Sequence, residues 1–208
     1  MATKKTEIVE IKPIQIATAK IKIVGDSPLI VHAWDAKAKR EILIKELGFP
    51  TTKAREPKNP IADFFSSLYW LTPMPEDYTM EAFDKAVKDG AQFGFHVSAV
   101  KDAAVSAAYR MKWTKDKVSG YAAFLIEAEA RGYYAGDLQI NWKKKTIDVV
   151  PNVFRTVDLF EIRGDAPKMR EDMVRVGKGS ADIRYRGEFD NWWADLTISY
   201  NSSGQYSL

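Results

Sequence analysis

Hydrophobic and polar residues alternate near both ends of the chain, whereas in the middle of the chain hydrophobic residues recur at the spacing of a helix. Isoleucines between Ile14 and Ile23 mark a first strand, which ends at the turn residues 25–28. Residues 34–47 have helical composition, with Asp35 near the start of the predicted helix. The pattern therefore predicts a strand followed directly by a helix.

The middle of the chain predicts two more helices, and its last third predicts strands. Helical sequence covers 62–71 and 79–88, and Thr79 is a suitable N-cap for the second helix. Apolar residues at 194, 196, 198 and 200 alternate with polar ones, which indicates a sheet with one face toward solvent. Residues 121–150 stay open between helix and hairpin, with Asn141–Lys145 favouring a hairpin. The predicted strands of this half are 154–162, 172–176, 183–189 and 193–200.

One stretch, residues 93–110, predicts a strand that turns directly into an alanine-rich helix. Ser98 is the expected N-cap, and the small side chains predict a helix buried close to the sheet. Lys101 opposes the helix dipole in the first turn, unless an anion is bound there. We therefore expect either a phosphate contact at Lys101 or a solvated lysine partly offset by Asp102.

Composition predicts one soluble domain. The chain has 208 residues, 46% of them hydrophobic, and a formal net charge of +3, which alone does not indicate a nucleic-acid partner. It contains no cysteine, so disulfides and thiolate chemistry are excluded. We find neither an apolar signal sequence nor a membrane span, and we expect a cytoplasmic protein of a bacterial or phage-infected cell.

Basic residues cluster between Arg163 and Arg186, where seven cations accompany four acids. Arg184 and Arg186 alternate along a strand, so both point to one face and suit phosphate oxygens. Aromatic residues lie beside basic ones elsewhere, as at Trp34 with Lys37, an arrangement typical of single-strand binding but also of ordinary surface. The expected nucleic-acid contacts are Lys101, Arg110, Trp113, Lys143, Arg170, Arg175, Lys178, Arg184 and Arg186.

Signals for catalysis are few. The two histidines, His32 and His96, are far apart, and no zinc, phosphate-loop, nucleophile-elbow or dinucleotide motif is present. The sequences 23–28 and 162–167 share the spacing Ile-x-Gly-Asp-small-Pro, which is sufficiently explained by two equivalent turns on one side of a sheet. We expect no enzyme, no catalytic residue, no cofactor and no bound metal. The alternative is a metal-dependent nuclease that uses Asp26, Asp35 or Asp165.

Residues 96–110 resemble the motif, roughly Pro-Gly-Ser-Ser-Leu-Lys-Gly followed by a helix, of the repeat-associated RAMP proteins, which include backbone subunits of CRISPR effector complexes. Residues 25–30 and 187–189 fit the same resemblance. The chain departs from the motif where His96-Val-Ser replaces Pro-Gly-Ser and where Asp102 replaces a small residue. The sequence also resembles uncharacterised bacteriophage-encoded proteins.

The RAMP resemblance implies an α+β, ferredoxin-like and RRM-like domain, with an antiparallel sheet and helices on one face. A single domain over 1–208 would carry a helical insertion at about 50–90 and a thumb-like hairpin at 112–150. The resemblance also implies Lys101 as a phosphate contact and assembly into filaments.

We expect a non-catalytic protein that binds the backbone of single-stranded RNA or DNA as a homo-oligomer or as a subunit of a larger ribonucleoprotein, away from membranes. The alternative partner is a protein, as for a phage inhibitor of a host defence complex or a particle component.

Overall fold

The computed structural model describes residues 14–50, 57–176 and 179–203, which form five helices and nine strands. The helices are α1 (Ala36–Glu46), α2 (Pro60–Ser67), α3 (Met80–Lys88), α4 (Val97–Arg110) and α5 (Lys117–Ala123). The strands are β1 (Ile16–Val24), β2 (Leu29–Val31), β3 (Phe93–His96), β4 (Phe124–Glu127), β5 (Ala130–Asn141), β6 (Thr146–Gly164), β7 (Lys168–Val176), β8 (Ser180–Phe189) and β9 (Trp192–Asn201).

The strands form two sheets, and every pairing among the described residues is antiparallel. The larger sheet has the order β1-β9-β6-β3, with β4 on β9 and β5 on β6, and the smaller has the order β2-β8-β7. The predicted fold class is confirmed: the chain is α+β with a mostly antiparallel sheet, consistent with a ferredoxin-like arrangement.

Strand β9 has the two-faced character that its alternation predicts. Ala194 and Leu196 are 0% and 1% exposed, whereas Asp195 between them is exposed. On the solvent side the ammonium of Lys22 lies 3.7 Å from the centre of the Trp193 ring. One face of the larger sheet therefore belongs to the core and the other to solvent.

The centre of the core is aromatic and lies around α2 and α3. Phe64, Phe65 and Trp70 are all 0% exposed, and Phe83 and Phe93 pack against them. Burial of each such side chain contributes about 1.5–3 kcal/mol. As an insertion relative to a protein family, the helical segment 50–90 stays a prediction, but its described part forms the core and does not lie beside it.

Local signals explain where α2 and α3 begin. The side chain of Asn59 accepts hydrogen bonds from the amides of Ile61 and Ala62, and Pro60 occupies the first turn of α2, where its missing N–H costs nothing. The hydroxyl of Thr79 accepts from the amide of Ala82, so the predicted N-cap of α3 is confirmed.

Helix α4 follows β3 without a break, as predicted, but its expected burial and cap are wrong. Val105 is its buried residue, and most of its alanines are at least partly exposed. The N-cap is His96, which makes no side-chain capping bond, and Ser98 lies inside the helix. The closest approach is to α5, where a Cβ added to Gly120 would lie 3.0 Å from a methyl carbon of Val105. Helix α4 therefore packs against α5 through Val105, and its alanines lie partly or fully in solvent.

Residues 130–164 form the long hairpin of β5 and β6, so most of the ambiguous stretch 121–150 is strand, whereas residues 121–123 are the end of α5. Helix α1 packs on both strands of this hairpin. At the tip, the ring of Trp142 meets the ring of Phe49 edge-on at 5.8 Å between centres. The thumb-like role of this hairpin stays a prediction.

The two Ile-x-Gly-Asp turns meet at the same place. The amide of Gly25 donates to the carbonyl of Trp192, and Gly164 pairs with Trp192 in the ladder between β6 and β9. The side-chain amide of Asn191 donates from Nδ2 to the carboxylate of Asp165 at 2.7 Å. Both turns therefore pack on the connection between β8 and β9, and Asp165 has a structural partner there.

Within the described part of the chain, no helix is long and apolar enough to cross a lipid bilayer.

Candidate nucleic-acid interface

Two arginines of the smaller sheet, Arg170 and Arg186, are held in close ion pairs. Arg170 donates to Asp172 at 2.8 Å and to Glu188 at 2.6 Å, and Arg186 donates to Asp172 at 3.1 Å. Hydrogen bonding from Arg170 is the main cause that lowers the pKa of both Asp172 and Glu188. These carboxylates are therefore ionised and already occupied by the cations of the same sheet face.

These ion pairs concern the phosphate contacts that the sequence predicts on β7 and β8. Residues Arg184 and Arg186 do point to one face, because they alternate along β8, but so do Asp182 and Glu188. Phosphate would have to displace carboxylates that Arg170 and Arg186 already bind. Phosphate contacts at these two arginines stay a prediction, and the carboxylates would compete with a phosphate there.

The other contacts predicted on β7 and β8 and in the sequence between them are Arg184, Arg175 and Lys178. The Nε atom of Arg184 is 3.9 Å from a carboxylate oxygen of Asp182, and its side chain borders a cleft. Arg175 is exposed near the end of β7. The prediction for Lys178 falls outside the described residues.

Lys101 is the fifth residue of α4, because the helix begins at Val97, so it lies just beyond the first turn in which it was predicted. Its ammonium lies near two rings. It is 5.7 Å from the centre of the Phe124 ring and 6.0 Å from that of Tyr121, at the limit of a cation–π contact. The neighbouring Asp102 accepts a hydrogen bond from the Tyr121 hydroxyl, which raises the pKa of that phenol. A phosphate contact at Lys101 stays a prediction.

Arg110 and Trp113 belong to a compact basic segment that joins α4 to α5. We call residues 109–117 the α4–α5 corner; it contains four cations and a single acid, Asp116. Asp116 is the N-cap of α5 and accepts from the amide of Ser119 at 2.7 Å, which lowers the pKa of its carboxyl. The cations are Arg110, Lys112, Lys115 and Lys117.

The corner presents these cations together with exposed rings. Trp113 is 71% exposed and Tyr109 is 46% exposed. All four cations are exposed, and within the described residues none of them forms an ion pair with a carboxylate. Cations without carboxylate partners beside solvent-facing aromatic rings are the surface that a flexible nucleic-acid strand requires.

Lys143 lies at the tip of the β5–β6 hairpin, next to Trp142, which is 65% exposed. The tip is a second basic and aromatic surface, carried by a different element from the corner. The predicted contacts are therefore spread over the α4–α5 region, the hairpin tip and the smaller sheet.

A cleft of about 550 Å³ opens between α1, α2 and β8, and we call it the α1–β8 cleft. The loop before α1 supplies His32 and Trp34, which is 59% exposed. Burial, followed by the charges of Arg186 and Arg184, lowers the pKa of His32, so the imidazole is neutral at neutral pH. No sequence pattern indicated this cleft, because its lining residues come from two distant segments of the chain, 32–67 and 182–185.

The charged groups of the cleft favour a different ligand from phosphate. Its walls carry four carboxylates and three Lys or Arg side chains. Lys58 binds Asp182 at 2.6 Å, and this hydrogen bond is the main cause that lowers the pKa of Asp182. The carboxylates are Asp35, Glu41, Asp63 and Asp182, and the cations are Lys37, Lys58 and Arg184.

The aspartates considered for a nuclease lie in structural positions or apart from one another. Asp35 is the N-cap of α1 and Asp165 is bound by Asn191. Among the described residues no group of three or more His, Cys, Asp or Glu side chains could hold a metal ion.

Comparison of the chain with protein-family models, with curated proteins and with solved structures found no match in any of the three. The resemblance to RAMP proteins therefore stays a prediction.

Proposed function

We propose that the protein binds single-stranded RNA or DNA along its sugar-phosphate backbone, without cutting it, and that the α4–α5 corner makes the main contact. The observation that carries this proposal is the group of four exposed cations beside Trp113 and Tyr109, with the only acid of the segment used as a helix cap. Such cations follow phosphates while the rings stack on bases.

The corner replaces the smaller sheet as the proposed site for an electrostatic reason. Arg170 and Arg186 already neutralise Asp172 and Glu188, so a phosphate gains little from them. The cations of the corner have no carboxylate partner to give up, so they can replace the counterions condensed on the phosphates, and the release of those counterions favours association. The hairpin tip with Lys143 is a secondary contact in this proposal.

Self-association in the cytoplasm, as a homo-oligomer or in a larger ribonucleoprotein, is part of the proposal. Within the described residues β1 pairs with β9 alone and is an edge of the larger sheet. An edge strand of this kind can pair with another chain. Light scattering with and without an oligonucleotide measures this association.

Fluorescence anisotropy with labelled oligo(U) and oligo(dT) tests the binding. The double variant Lys112→Glu/Lys115→Glu should weaken binding about 25-fold or more at about 0.1 M salt, because each lost single-strand phosphate contact forfeits about 0.7 log units of counterion release there. Trp113→Ala should cost a further 5- to 150-fold, about 1–3 kcal/mol of stacking.

The matched control is Lys85→Glu/Lys88→Glu, which changes the net charge equally on exposed residues of α3, outside the corner and the edge strand β1. It should weaken binding by no more than about 3-fold, since long-range charge is screened within about 10 Å. Equal losses in both double variants would contradict a specific corner site. Absence of oligonucleotide binding, with a protein co-purifying, would favour the protein-interaction alternative instead.

A further inference from the structure

One wall of the α1–β8 cleft is formed by an aromatic side chain that is mostly exposed and not part of the buried core. Trp34 is 59% exposed, although tryptophan burial is a main source of core stability. The ammonium of Lys39 lies 5.6 Å from the centre of its ring. The indole therefore offers a π surface to a planar ligand in the cleft.

The polar groups beside Trp34 are mainly hydrogen-bond acceptors. Asp35 accepts from the amide of Lys37, and Asp182 accepts from Lys58. The carboxylate of Asp63 has no hydrogen-bond donor among the described residues, and it also lines the cleft. Partial burial, followed by the negative charge of Asp35, raises the pKa of Asp63, so an N–H donor would relieve an unfavourable charge.

The lining residues include four carboxylates and three Lys or Arg side chains, and two of these cations, Lys58 and Arg184, already lie beside Asp182. The walls therefore suit a hydrogen-bond donor better than a phosphate. A planar ring with an exocyclic amino group does, since it can stack on an indole and donate to a carboxylate. The volume of about 550 Å³ lies within the range typical of small-molecule pockets.

We propose that the α1–β8 cleft binds an amino-bearing nucleobase, stacked on Trp34 and donating its amino group to Asp63. The neutral imidazole of His32 offers both a donor and an acceptor to the remaining edge of the base. The proposal adds base recognition to the backbone contact at the corner. If the base belongs to the bound strand it deepens the proposed function, but the cleft can be tested without phosphate.

Free nucleosides provide that test, because cytidine and uridine differ at the position where one has an amino donor and the other a carbonyl acceptor. Isothermal titration of the full chain should show cytidine binding about 5- to 150-fold more tightly than uridine. Asp63→Asn should remove this preference, because an amide can donate as well as accept. Trp34→Ala should weaken both nucleosides, whereas Phe154→Ala, which removes a 52% exposed ring of β6 that does not line the cleft, should weaken neither.

Circular dichroism of each variant establishes that the fold is retained, and Asp63→Asn preserves the size of the side chain. Equal affinity for cytidine and uridine, or a preference unchanged in Asp63→Asn, would overturn the inference. Binding of argininamide in the cleft without nucleoside binding would also overturn it, since the ligand would then be a guanidinium group. Loss of oligonucleotide binding in the corner variant with cytidine binding intact would separate the two proposals.

Discussion

Substitution of Gly164 tests the packing of the two Ile-x-Gly-Asp turns. Its φ is 115°, and a Cβ added there would lie 1.9 Å from the carbonyl oxygen of Asn191. An ordinary carbon–oxygen contact is about 3.3 Å, so the connection between β8 and β9 would have to move by more than about 1 Å. The hydrogen bonds that join Asp165 and Asn191 would then be lost.

The expected cost of Gly164→Ala has two parts. A positive φ costs an alanine about 1–2 kcal/mol. Loss of two hydrogen bonds in the turn adds about 1 kcal/mol each, so the free energy of unfolding should fall by about 3–4 kcal/mol. This is a large part of the free energy of unfolding of a typical domain, which is about 5–15 kcal/mol.

Gly90→Ala is the matched control, because Gly90 has a φ of 91° and no atom within 4 Å of an added Cβ. Urea unfolding followed by tryptophan fluorescence should show Gly164→Ala less stable than Gly90→Ala by about 2 kcal/mol, the contribution of the lost turn contacts. Equal stability of the two variants would refute the proposed crowding at Asn191.

Two further perturbations test the ion pairs and the core. The pKa values of Asp172 and Glu188 are lowered in the folded protein, so these groups contribute stability that is present above their unfolded pKa and lost as pH falls through the folded pKa. The variant Asp172→Asn/Glu188→Gln should therefore lose less stability than the unmodified protein when the pH is lowered. The same loss of stability at low pH in both proteins would contradict the pairing. The side chain of Asn152, whose φ is 54°, accepts a hydrogen bond from the backbone amide of Met74 and donates one to its carbonyl. Asn152→Ala should therefore lower the free energy of unfolding, measured in urea, by about 2–4 kcal/mol. A loss below about 1 kcal/mol would contradict this role.

Local patterns predicted the elements of this chain well where one short segment decided the outcome. The alternation in 194–200 identified the buried and solvent faces of β9, and Thr79 identified the start of α3. Each signal acts through neighbouring residues, such as a hydroxyl that reaches an amide three positions later. Information of that kind is contained in the sequence itself.

The burial of α4 was mispredicted, because a run of alanines is compatible with both a buried and an exposed helix. They permit close packing on a sheet, but they also favour any helix through low side-chain entropy. The structure uses Val105 against Gly120 of α5 and leaves many of the alanines in contact with solvent. The aromatic run around Phe64 and Trp70, a stronger sign of burial, belongs to the centre of the core.

The candidate sites show the same limit of sequence reasoning. Charge density between Arg163 and Arg186 suggested a phosphate-binding face, but the register of β7 and β8 decides which charges meet. It sets Arg170 opposite Arg186 and Asp172 opposite Arg184, and both Arg170 and Arg186 donate to Asp172. The corner at 109–117 escapes this problem because its cations lie in one short connection with one acid. Asp63 could not have been associated with Trp34, since the cleft exists only after α1, α2 and β8 have packed.

The salt dependence of oligonucleotide affinity is the most direct measurement of the proposed function. For single strands, the logarithm of the association constant falls with the logarithm of the salt concentration by about 0.7 for each phosphate contact. We predict a negative slope for the unmodified protein and a slope shallower by about 1.4 for Lys112→Glu/Lys115→Glu, because two contacts are lost. A slope near zero, or the same slope in both proteins, would contradict backbone binding at the α4–α5 corner.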